Sequence, residues 1–379
     1  MGRVRIGVIG TGGMGRAHIK AMQSITEAQL TAVCDGDAQT VKKISEESGV
    51  KGFTDYKELI NSGLADAVII ATPHYFHAST GIAAFKKGLH VLTEKPLAVT
   101  VSAADDFLKA AKKSGKVFAI MFQQRTLPAI RLASQIISSG KLGEIKRTLM
   151  VEPSYRCQAY YNSAGWRGTW KGEGGGVLMN QAPHGIDIFM LLGGLPSKVT
   201  AVVRTRMHDI EVEDEANAIL EYKNGAWGYY YTSTCEIPQT MRLEICGDKA
   251  KLIYDEEKLR LLVFEKPISE HNRTAVGMWD FPKVKEEQLE LPVAETGSKE
   301  IIRNFCAAIL HGEKLISPGI TGMWSMEFIN AVGLSGRTGK SVSIPVDREK
   351  FDRFLEKMKR SSIDKKAVKT QRVTDPRRI

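Results

Sequence analysis

Short apolar runs alternate with segments of helical spacing along the first third of the chain. Residues 65–71 read ADAVIIA, an almost continuous apolar run of the kind expected for a strand buried on both faces. The predicted strands are 3–9, 29–34, 65–71, 90–93 and 117–121, and the predicted helices are 17–22, 38–47, one that begins at 56, 77–87 and 102–113. Strands separated by helices indicate βαβ units, so we predict an α/β fold with a doubly wound parallel sheet.

The pattern changes in the second half of the chain. Strand-like segments follow one another directly at 200–207, 216–222, 225–233 and 241–246, with turn signals at 223–225 and 247–248. Such a meander has one broad face that a second subunit would cover, which predicts a homodimer or homotetramer. Two helices, 299–311 and 322–335, come next, and we expect a final strand, 341–346, to pack near the first domain.

The length indicates more than one domain. At 379 residues the chain exceeds the size that one hydrophobic core usually supports. We expect a first domain at 1–124, a second α+β domain at 125–350, and a basic C-terminal helix and tail at 351–379.

The formal net charge of +10 does not indicate nucleic-acid binding. Much of the excess follows Glu356 in a run of the kind that usually forms a solvated end. The run lacks interleaved aromatic residues and any recognisable reading motif, so we expect no nucleic-acid partner. The charge instead favours anionic ligands such as a dinucleotide.

Cysteine usage and hydropathy predict a cytoplasmic protein. The five cysteines are scattered and share no C-x-x-C spacing, which argues against a disulfide framework and against a zinc site. No run of about 18 apolar residues is present, so we expect no membrane span. The first residues lead directly into a strand pattern, without the apolar core of a signal peptide.

A glycine-rich turn supplies the first candidate chemistry. Residues 10–15 read GTGGMG, a G-x-G-x-x-G between the first strand and the first helix. Gly10 would permit the tight turn, Gly12 the approach of a pyrophosphate, and Gly15 close packing of helix and strand. Phosphates would then lie at the helix N-terminus, beside Gly13 and Met14. This context predicts a dinucleotide-binding Rossmann domain.

A carboxylate lies where that fold places the ribose. Asp35 ends the second strand, twenty residues after Gly15. Because a carboxylate there would repel a 2′-phosphate, we predict NAD rather than NADP. Asp37 is a second candidate for the ribose contact.

Two further strand ends lie at the same edge of the predicted sheet. Thr72-Pro73-His74 follows one strand and Glu94-Lys95-Pro96 follows the next. Ligands of such sheets bind outside the carboxyl ends of the strands, so Lys95 is expected on the cofactor rim. A salt bridge to Glu94 is the structural alternative for this lysine.

At this point the chain resembles the Gfo/Idh/MocA family, named for glucose–fructose oxidoreductase and inositol dehydrogenase. The resemblance covers nearly the whole chain. It depends on the glycine motif, on A-T-P-H with His77, on E-K-P, on Gln124-Arg125, and on GGGVLMNQAPHGID at 174–187. It implies an NAD(P)-dependent oxidoreductase acting on the CH–OH group of a sugar or cyclitol, with a second domain built on an open, mostly antiparallel sheet.

The resemblance also implies catalytic residues. The family uses the lysine of E-K-P with an aspartate and a histidine four residues apart; Lys95 and His184 match, but Asn180 stands at the aspartate position. An amide positions a hydroxyl but does not accept its proton, so the base would be His184 or Lys95. The N-Q-x-P-H version, preceded by W-R-G-T-W, is similar to a branch acting on larger sugars and glycosides.

Helical spacing would bring this second signature together. Asn180 and His184 are four residues apart and would lie side by side on one helix. Asp187, three residues after His184, would orient the imidazole or support its positive charge. A metal site lacks further ligands at suitable spacing, so no metal is expected, and a hydrogen-bonded core histidine is the structural alternative.

The remaining candidates complete the predicted site. The predicted cofactor-binding residues are Gly10, Gly12, Gly13, Met14, Gly15, Asp35, Thr72, Pro73, His74, His77, Glu94, Lys95, Gln124, Trp166 and Arg167, and the predicted substrate-binding residues are Lys95, Arg125, Tyr160, Asn180 and His184. His74 and His77 are equally compatible with capping the following helix, and the Tyr160–Arg167 region with core or interface. Two other functions stay open, a redox-neutral NAD-dependent glycosidase or epimerase and a non-catalytic NAD-binding regulator.

Overall fold

The computed structural model describes residues 2–363, so most of the predicted basic tail lies outside the described residues. A six-stranded parallel sheet forms the first part, in the order β3-β2-β1-β4-β5-β6. Its elements are β1 (Val4–Ile9), α1 (Gly13–Met22), β2 (Ala28–Cys34), α2 (Ala38–Ser48), β3 (Lys51–Phe53), α3 (Tyr56–Asn61), β4 (Ala67–Ile70), α4 (Tyr75–Lys86), β5 (His90–Thr93), α5 (Val101–Ser114) and β6 (Phe118–Ile120). The predicted doubly wound parallel sheet is confirmed.

Burial and capping explain these elements. All four residues of β4 are inaccessible to solvent, as expected for a central strand covered by helices on both faces. The side chains of Asp37, Asp55 and Thr100 accept hydrogen bonds from the first turns of α2, α3 and α5. Strand β3 was missed from the sequence because three residues, one of them glycine, give no periodic pattern.

A nine-stranded sheet forms the second part, in the order β14-β13-β12-β11-β7-β10-β9-β8-β15. Its strands are β7 (Ile145–Pro153), β8 (Lys198–Arg204), β9 (Glu215–Glu221), β10 (Trp227–Ser233), β11 (Arg242–Gly247), β12 (Ala250–Asp255), β13 (Lys258–Phe264), β14 (Val284–Glu287) and β15 (Val342–Ser343). Only the β7–β10 pair is parallel, so the mostly antiparallel second sheet is also confirmed.

Eight helices of the described chain follow the first sheet in sequence. They are α6 (Pro128–Ser138), α7 (Gln158–Asn162), α8 (Val177–Asn180), α9 (Pro183–Gly193), α10 (Ile268–Thr274), α11 (Gly297–His311), α12 (Gly322–Thr338) and α13 (Arg348–Arg360). Helix α9 is almost entirely buried, with its aromatic residue Phe189 packed against Tyr230 of β10 and Phe328 of α12.

The two parts of the chain are interwoven. Helix α11 returns to the first sheet, where Ile302 and Phe305 join the same buried cluster as Val4 and Ile6 of β1. The predicted boundaries at 124 and 350 stay predictions. The expected last strand at 341–346 is only the two-residue β15, which pairs with β8 of the second sheet.

A buried ion pair joins the end of β6 to α9. Arg125, in the turn after β6, donates from Nε and Nη2 to the two carboxylate oxygens of Asp187 at 2.7 and 2.5 Å. The two side chains are 4% and 2% exposed. Burial raises the pKa of the Asp187 carboxyl, and the Arg125 charge opposes this rise.

Replacing Arg125 with methionine should destabilise the protein strongly. The variant leaves the Asp187 carboxylate buried without its counter-ion, so the free energy of unfolding should fall by about 3–5 kcal/mol in denaturant titrations. A double Arg125→Met, Asp187→Leu variant should recover most of the loss.

The matched control is Arg5→Met, which breaks the exposed pair with Asp66. This variant should change stability little, because solvent screens exposed ion pairs. Equal losses for the two single variants would contradict a special contribution from the buried pair.

Candidate active site

The glycine loop leaves room for a dinucleotide. Gly10 has φ +90°, and a Cβ atom there would lie 2.5 Å from the Ala71 carbonyl oxygen. A Cβ at Gly15 would lie 1.9 Å from the carbonyl oxygen of Gly10, so helix and strand pack as closely as predicted. A Cβ at Gly12 would meet no atom within 4 Å. Gly12 and Gly13 are exposed at the N-terminus of α1, where unpaired backbone N–H groups favour an anion.

Asp35 lies against this loop. Its Oδ2 atom accepts hydrogen bonds from the backbone N–H and the hydroxyl of Thr11, at 2.7 and 3.2 Å. Asp37 was a second ribose candidate, but its carboxylate instead caps α2, with the Gln39 N–H at 3.1 Å and the Thr40 hydroxyl at 2.6 Å. The structure therefore retains Asp35 as the ribose candidate.

The Thr72-Pro73-His74 turn reaches the same edge of the sheet. His74 is buried, and its Nδ1 lies 3.2 Å from the backbone carbonyl oxygen of Glu173. Burial lowers the pKa of His74 to about 3, and the nearby positive charges add to the effect, so this imidazole is neutral near pH 7.

His77 holds two loops together. Its ring nitrogens lie 2.7 Å from the Pro96 carbonyl oxygen and 2.8 Å from the Thr72 carbonyl oxygen. The side chain is completely buried. The predicted direct cofactor contact is therefore replaced by a positioning role, because both polar atoms of the ring are occupied.

Glu94 holds the E-K-P turn from inside the first domain. Its carboxylate lies 2.7 Å from Nε2 of His18 on α1, and its other oxygen accepts from the Lys95 backbone N–H at 3.1 Å. Burial alone would raise the pKa of this carboxyl, but the His18 hydrogen bond and the electrostatic effects of Lys95 and His184 lower it to about 2. Glu94 is thus buried behind the site, which replaces its predicted cofactor contact.

His18 was missed from the sequence. It lies 76 residues from its partner, and its only local signal was a polar residue on the buried face of a helix that covers the sheet.

Lys95 joins the two parts of the chain. Its Nζ donates to the backbone carbonyl oxygen of Asn180 at 2.9 Å, and the Lys95–Pro96 peptide is cis. The lysine at the end of β5 therefore projects across the rim to α8, and the structure brings together Lys95 and Asn180 as predicted.

Asn180 and His184 lie on two helices, so the prediction of one continuous helix was wrong. Asn180 ends α8, and α9 begins three residues later at Pro183. Proline has no backbone N–H and cannot continue the hydrogen-bond ladder of a preceding helix, but it fits the first turn of a new one. His184 is buried on the first turn of α9.

Two more predictions change at α9. Both oxygens of Asp187 are bound by Arg125, so Asp187 does not serve as the expected orienting partner of His184. The Arg125 guanidinium of this pair is buried, and its Nη1 also lies 3.4 Å from the Ile316 carbonyl oxygen. The predicted substrate contact of Arg125 is replaced by a structural role at the base of the site.

An aromatic and cationic cluster borders Asn180. The Arg167 guanidinium lies 4.2 Å from the ring centre of Tyr160 and 4.6 Å from that of Trp166. Tyr160 contacts Asn180 through its hydroxyl, with Nδ2 of Asn180 at 3.2 Å. The ring of Trp166 meets that of His74 edge-on at 6.3 Å. These residues were predicted for the site, and the structure places them on its second-domain side.

A buried carboxyl belongs to this cluster and was missed from the sequence. Glu173 is 1% exposed; one oxygen accepts from the Gly168 N–H at 2.6 Å and the other from Nδ2 of Asn180. Burial raises the pKa of Glu173 to about 7, against the lowering effect of the Arg167 charge. The sequence signal was a glutamate directly before the glycine run at 174–176.

Residues at the end of β6 leave polar atoms available. The amide oxygens of Gln123 and Gln124 are buried and have no hydrogen-bond partner within residues 2–363. Both oxygens are therefore available to accept hydrogen bonds from a ligand.

A possible metal-ligand group lies elsewhere, at His208, Asp214 and Cys235, whose ligand atoms lie within 4.8 Å of one another. Asp214 already accepts backbone hydrogen bonds from Arg206, Met207 and His208 at 2.8, 2.9 and 3.1 Å. The carboxylate is therefore satisfied by the loop that it closes.

Comparisons with known proteins agree with this geometry. The sequence pattern of the oxidoreductase family with an NAD-binding Rossmann fold, GFO_IDH_MocA, matches residues 4–122, and the GFO/IDH/MocA C-terminal domain matches residues 130–253. Within residues 2–363, no helix combines the length and apolar character needed to cross a bilayer.

Individual relatives cover most of the chain. Glucose-6-phosphate 3-dehydrogenase of Bacillus subtilis is 27% identical over 66% of this chain and 74% of its own length. D-glucoside 3-dehydrogenase of Escherichia coli is 26% identical over 81% and 94%. The WlbA dehydrogenase structure from Bordetella pertussis, in complex with NADH and UDP-GlcNAcA, aligns with a TM-score of 0.76 and 26% identity over 91% of this chain and 100% of that one.

These findings confirm the resemblance, the fold and the NAD cofactor predicted from the residues. The chain belongs to the Gfo/Idh/MocA family and is an NAD-binding oxidoreductase.

Proposed function

We propose that the chain oxidises a secondary hydroxyl of a sugar, glycoside or cyclitol, with NAD as the hydride acceptor. The observation that carries the proposal is the hydrogen bond from Lys95 Nζ to the Asn180 carbonyl oxygen. It brings the lysine at the end of a cofactor-domain strand to the junction of α8 and α9, where His184 lies. A hydroxyl bound there would lie between a cation and an imidazole.

The protein residues handle the proton of this reaction. When NAD is bound, its nicotinamide ring accepts the hydride from the carbinol carbon. His184 takes the hydroxyl proton as the carbon–oxygen double bond forms, and Lys95 stabilises the negative charge that develops on the oxygen. The products are a ketone, the reduced cofactor and one proton.

The substrate class is supported by the relatives. Two of them are named as dehydrogenases of glucose 6-phosphate and of D-glucosides, and a structural neighbour binds a nucleotide-linked sugar. The aromatic and cationic surface of Trp166 and Arg167 suits the apolar face and the hydroxyls of a sugar ring.

A redox-neutral reaction is the second candidate. A relative from Mediterraneibacter gnavus, 24% identical over 73% of this chain, is named 2,7-anhydro-N-acetylneuraminate hydratase. In such a reaction the hydride would return to the same sugar, and no free reduced cofactor would accumulate.

We also propose that the protein is a homo-oligomer assembled through the second sheet. The outer face of β8, β9 and β10 exposes the apolar side chains of Val202, Ile219, Trp227 and Tyr229. Ile219 and Tyr229 are direct neighbours across the β9–β10 pair, so the patch is continuous. Contiguous exposed apolar patches mark interaction sites, and a second copy of the chain would cover this one.

Turnover should depend on His184. Purified protein with NAD and a panel of free sugars, glycosides and inositols should form reduced nicotinamide with at least one class, followed by absorbance. His184→Ala should lower kcat by roughly a hundred- to ten-thousand-fold, the usual contribution of a general base. The control is His311→Ala, an exposed histidine at the end of α11. Equal activity of the two variants would contradict the assignment of the base.

Assembly should depend on the exposed face of the second sheet. Tyr229→Arg places a charge in the middle of the apolar patch, so the molar mass in solution, measured by sedimentation or light scattering, should fall to that of a monomer. Ile320→Arg, at an exposed apolar residue elsewhere, should leave the mass unchanged. A Tyr229→Arg protein of unchanged mass would show that this face is not the interface.

A further inference from the structure

The hydroxyl of Tyr160 is surrounded by more donors than it can accept. Arg167 donates through Nη1, Asn180 through Nδ2 at 3.2 Å, and Gln181 through Nε2 at 3.1 Å. A neutral phenol offers two lone pairs and one O–H proton. Three donors exceed the lone pairs, and within residues 2–363 no hydrogen bond from this hydroxyl to an acceptor is present.

Rotating the Asn180 amide resolves this conflict. The oxygen and nitrogen of an amide have nearly the same shape, so their assignment is decided by the hydrogen-bond network. With the two exchanged, the Tyr160 O–H donates to Oδ1 of Asn180, and the phenol oxygen accepts from Arg167 and Gln181 only. Every polar atom of the tyrosine hydroxyl is then satisfied.

The rotated amide requires a proton on Glu173. In that orientation Oδ1 of Asn180 faces the Glu173 carboxyl, and two acceptors in contact need a shared hydrogen. A protonated Glu173 supplies it, while its other oxygen keeps the bond from the Gly168 N–H. The near-complete burial of Glu173 favours the neutral acid, consistent with the rise of its pKa to about 7.

The charged and titratable groups around Glu173 leave the balance close. Arg167 favours the ionised carboxylate, and Glu213 favours the neutral acid. Tyr161 interacts with Glu173 electrostatically, and His74 contacts the Glu173 backbone oxygen as a neutral imidazole. Both the neutral and the ionised form of Glu173 are therefore accessible near neutral pH.

Rotation of Gln181 is the alternative, and it satisfies fewer atoms. The amide oxygen of Gln181 is buried without a hydrogen-bond partner within residues 2–363. Exchanging its oxygen and nitrogen would place an N–H₂ group in that position, and unpaired buried donors are rarer than unpaired buried oxygens.

We propose that Glu173 selects which end of the Asn180 amide is presented to the substrate. With Glu173 neutral, Asn180 offers N–H to the cleft, which suits the carbonyl oxygen of a ketone. With Glu173 ionised, Asn180 offers its amide oxygen, which suits the hydroxyl of an alcohol. Asn180 is partly accessible to solvent and lies beside Lys95, so the selected atom reaches the reacting centre.

Glu173 is thus a positioning residue for the dehydrogenase reaction, and the inference rests on the proposed function. The aspartate that the family usually carries at position 180 would present the same charge to either ligand. In this chain the carboxyl belongs to Glu173, which lies behind Asn180 as seen from the cleft. The protonation state of Glu173 decides whether the Asn180 amide presents a hydrogen-bond donor or an acceptor to the ligand.

Infrared spectroscopy of the whole protein tests the protonation step without turnover. The wild type should show a carboxylic-acid C=O band that disappears as pH rises through about 7. Glu173→Gln should lack this band, because its N–H₂ group replaces the acid O–H toward Asn180. Glu213→Gln, at another buried glutamate, should retain the band but lose it at a lower pH, because the Glu213 charge favours the neutral acid. If no band distinguishes the wild type from Glu173→Gln, Glu173 is ionised throughout, Gln181 satisfies Tyr160 instead, and the inference is wrong.

Kinetics test the amide step, with methyl β-D-glucoside as the alcohol and its 3-keto derivative as the ketone. Between about pH 6 and about pH 8 the wild-type KM should rise for the ketone and fall for the alcohol, each by up to about tenfold, the effect of one hydrogen bond. In Glu173→Gln both KM values should stay flat.

The outcomes separate the two proposals. A titrating band without activity on either probe or on any member of the panel of sugars, glycosides and inositols would count against the proposed function and leave the protonation step standing. A titrating band with pH-independent wild-type KM values for both probes would overturn the selection by Asn180.

Discussion

The hydrogen bond from Lys95 Nζ to the backbone oxygen of Asn180 is the contact on which the proposed active site depends. It joins the carboxyl end of a central parallel strand to the helix junction of the second part, next to the helix that carries His184. The bond fixes the position of the Lys95 side chain only if the segments that carry Lys95 and Asn180 are both rigid. Buried hydrogen-bonded pairs supply that rigidity on each side, Glu94 with His18 and Asp187 with Arg125.

The two buried pairs, Glu94 with His18 and Asp187 with Arg125, support the site and are distinct from the charged groups that line it. In each of the two pairs the carboxylate has a basic partner, and for Glu94 the His18 hydrogen bond together with the charges of Lys95 and His184 lowers the pKa to about 2. Glu173 differs, because its direct contacts are an amide and a backbone N–H rather than a cation. Burial without a directly bound cation raises the pKa of Glu173 to about 7.

The sequence predicted those features that local chemistry determines. Glycine spacing, strand ends and the E-K-P turn identified the cofactor side, and the structure places them together at one edge of the first sheet. The predictions that failed concern features that depend on contacts between residues far apart in the sequence. Pro183 divides the expected helix, Arg125 binds the carboxylate that was expected to orient His184, and His18 pairs with Glu94 across 76 residues of sequence. Weakly patterned strands such as β7, which lies between its partners β10 and β11, were missed because their pairing arises only in the folded sheet.

Transfer of deuterium is the most direct test of the central claim, that the cleft between Lys95 and His184 is the place where a sugar carbon loses hydride. The measurement is a single turnover of NAD-loaded protein with glycosides that carry deuterium on their ring carbons, followed by mass spectrometry of the released cofactor. The account predicts reduced cofactor that contains one deuterium atom, in the wild type and not in Lys95→Ala. Complete consumption of the glycoside with unlabelled, oxidised cofactor and no ketone would contradict it.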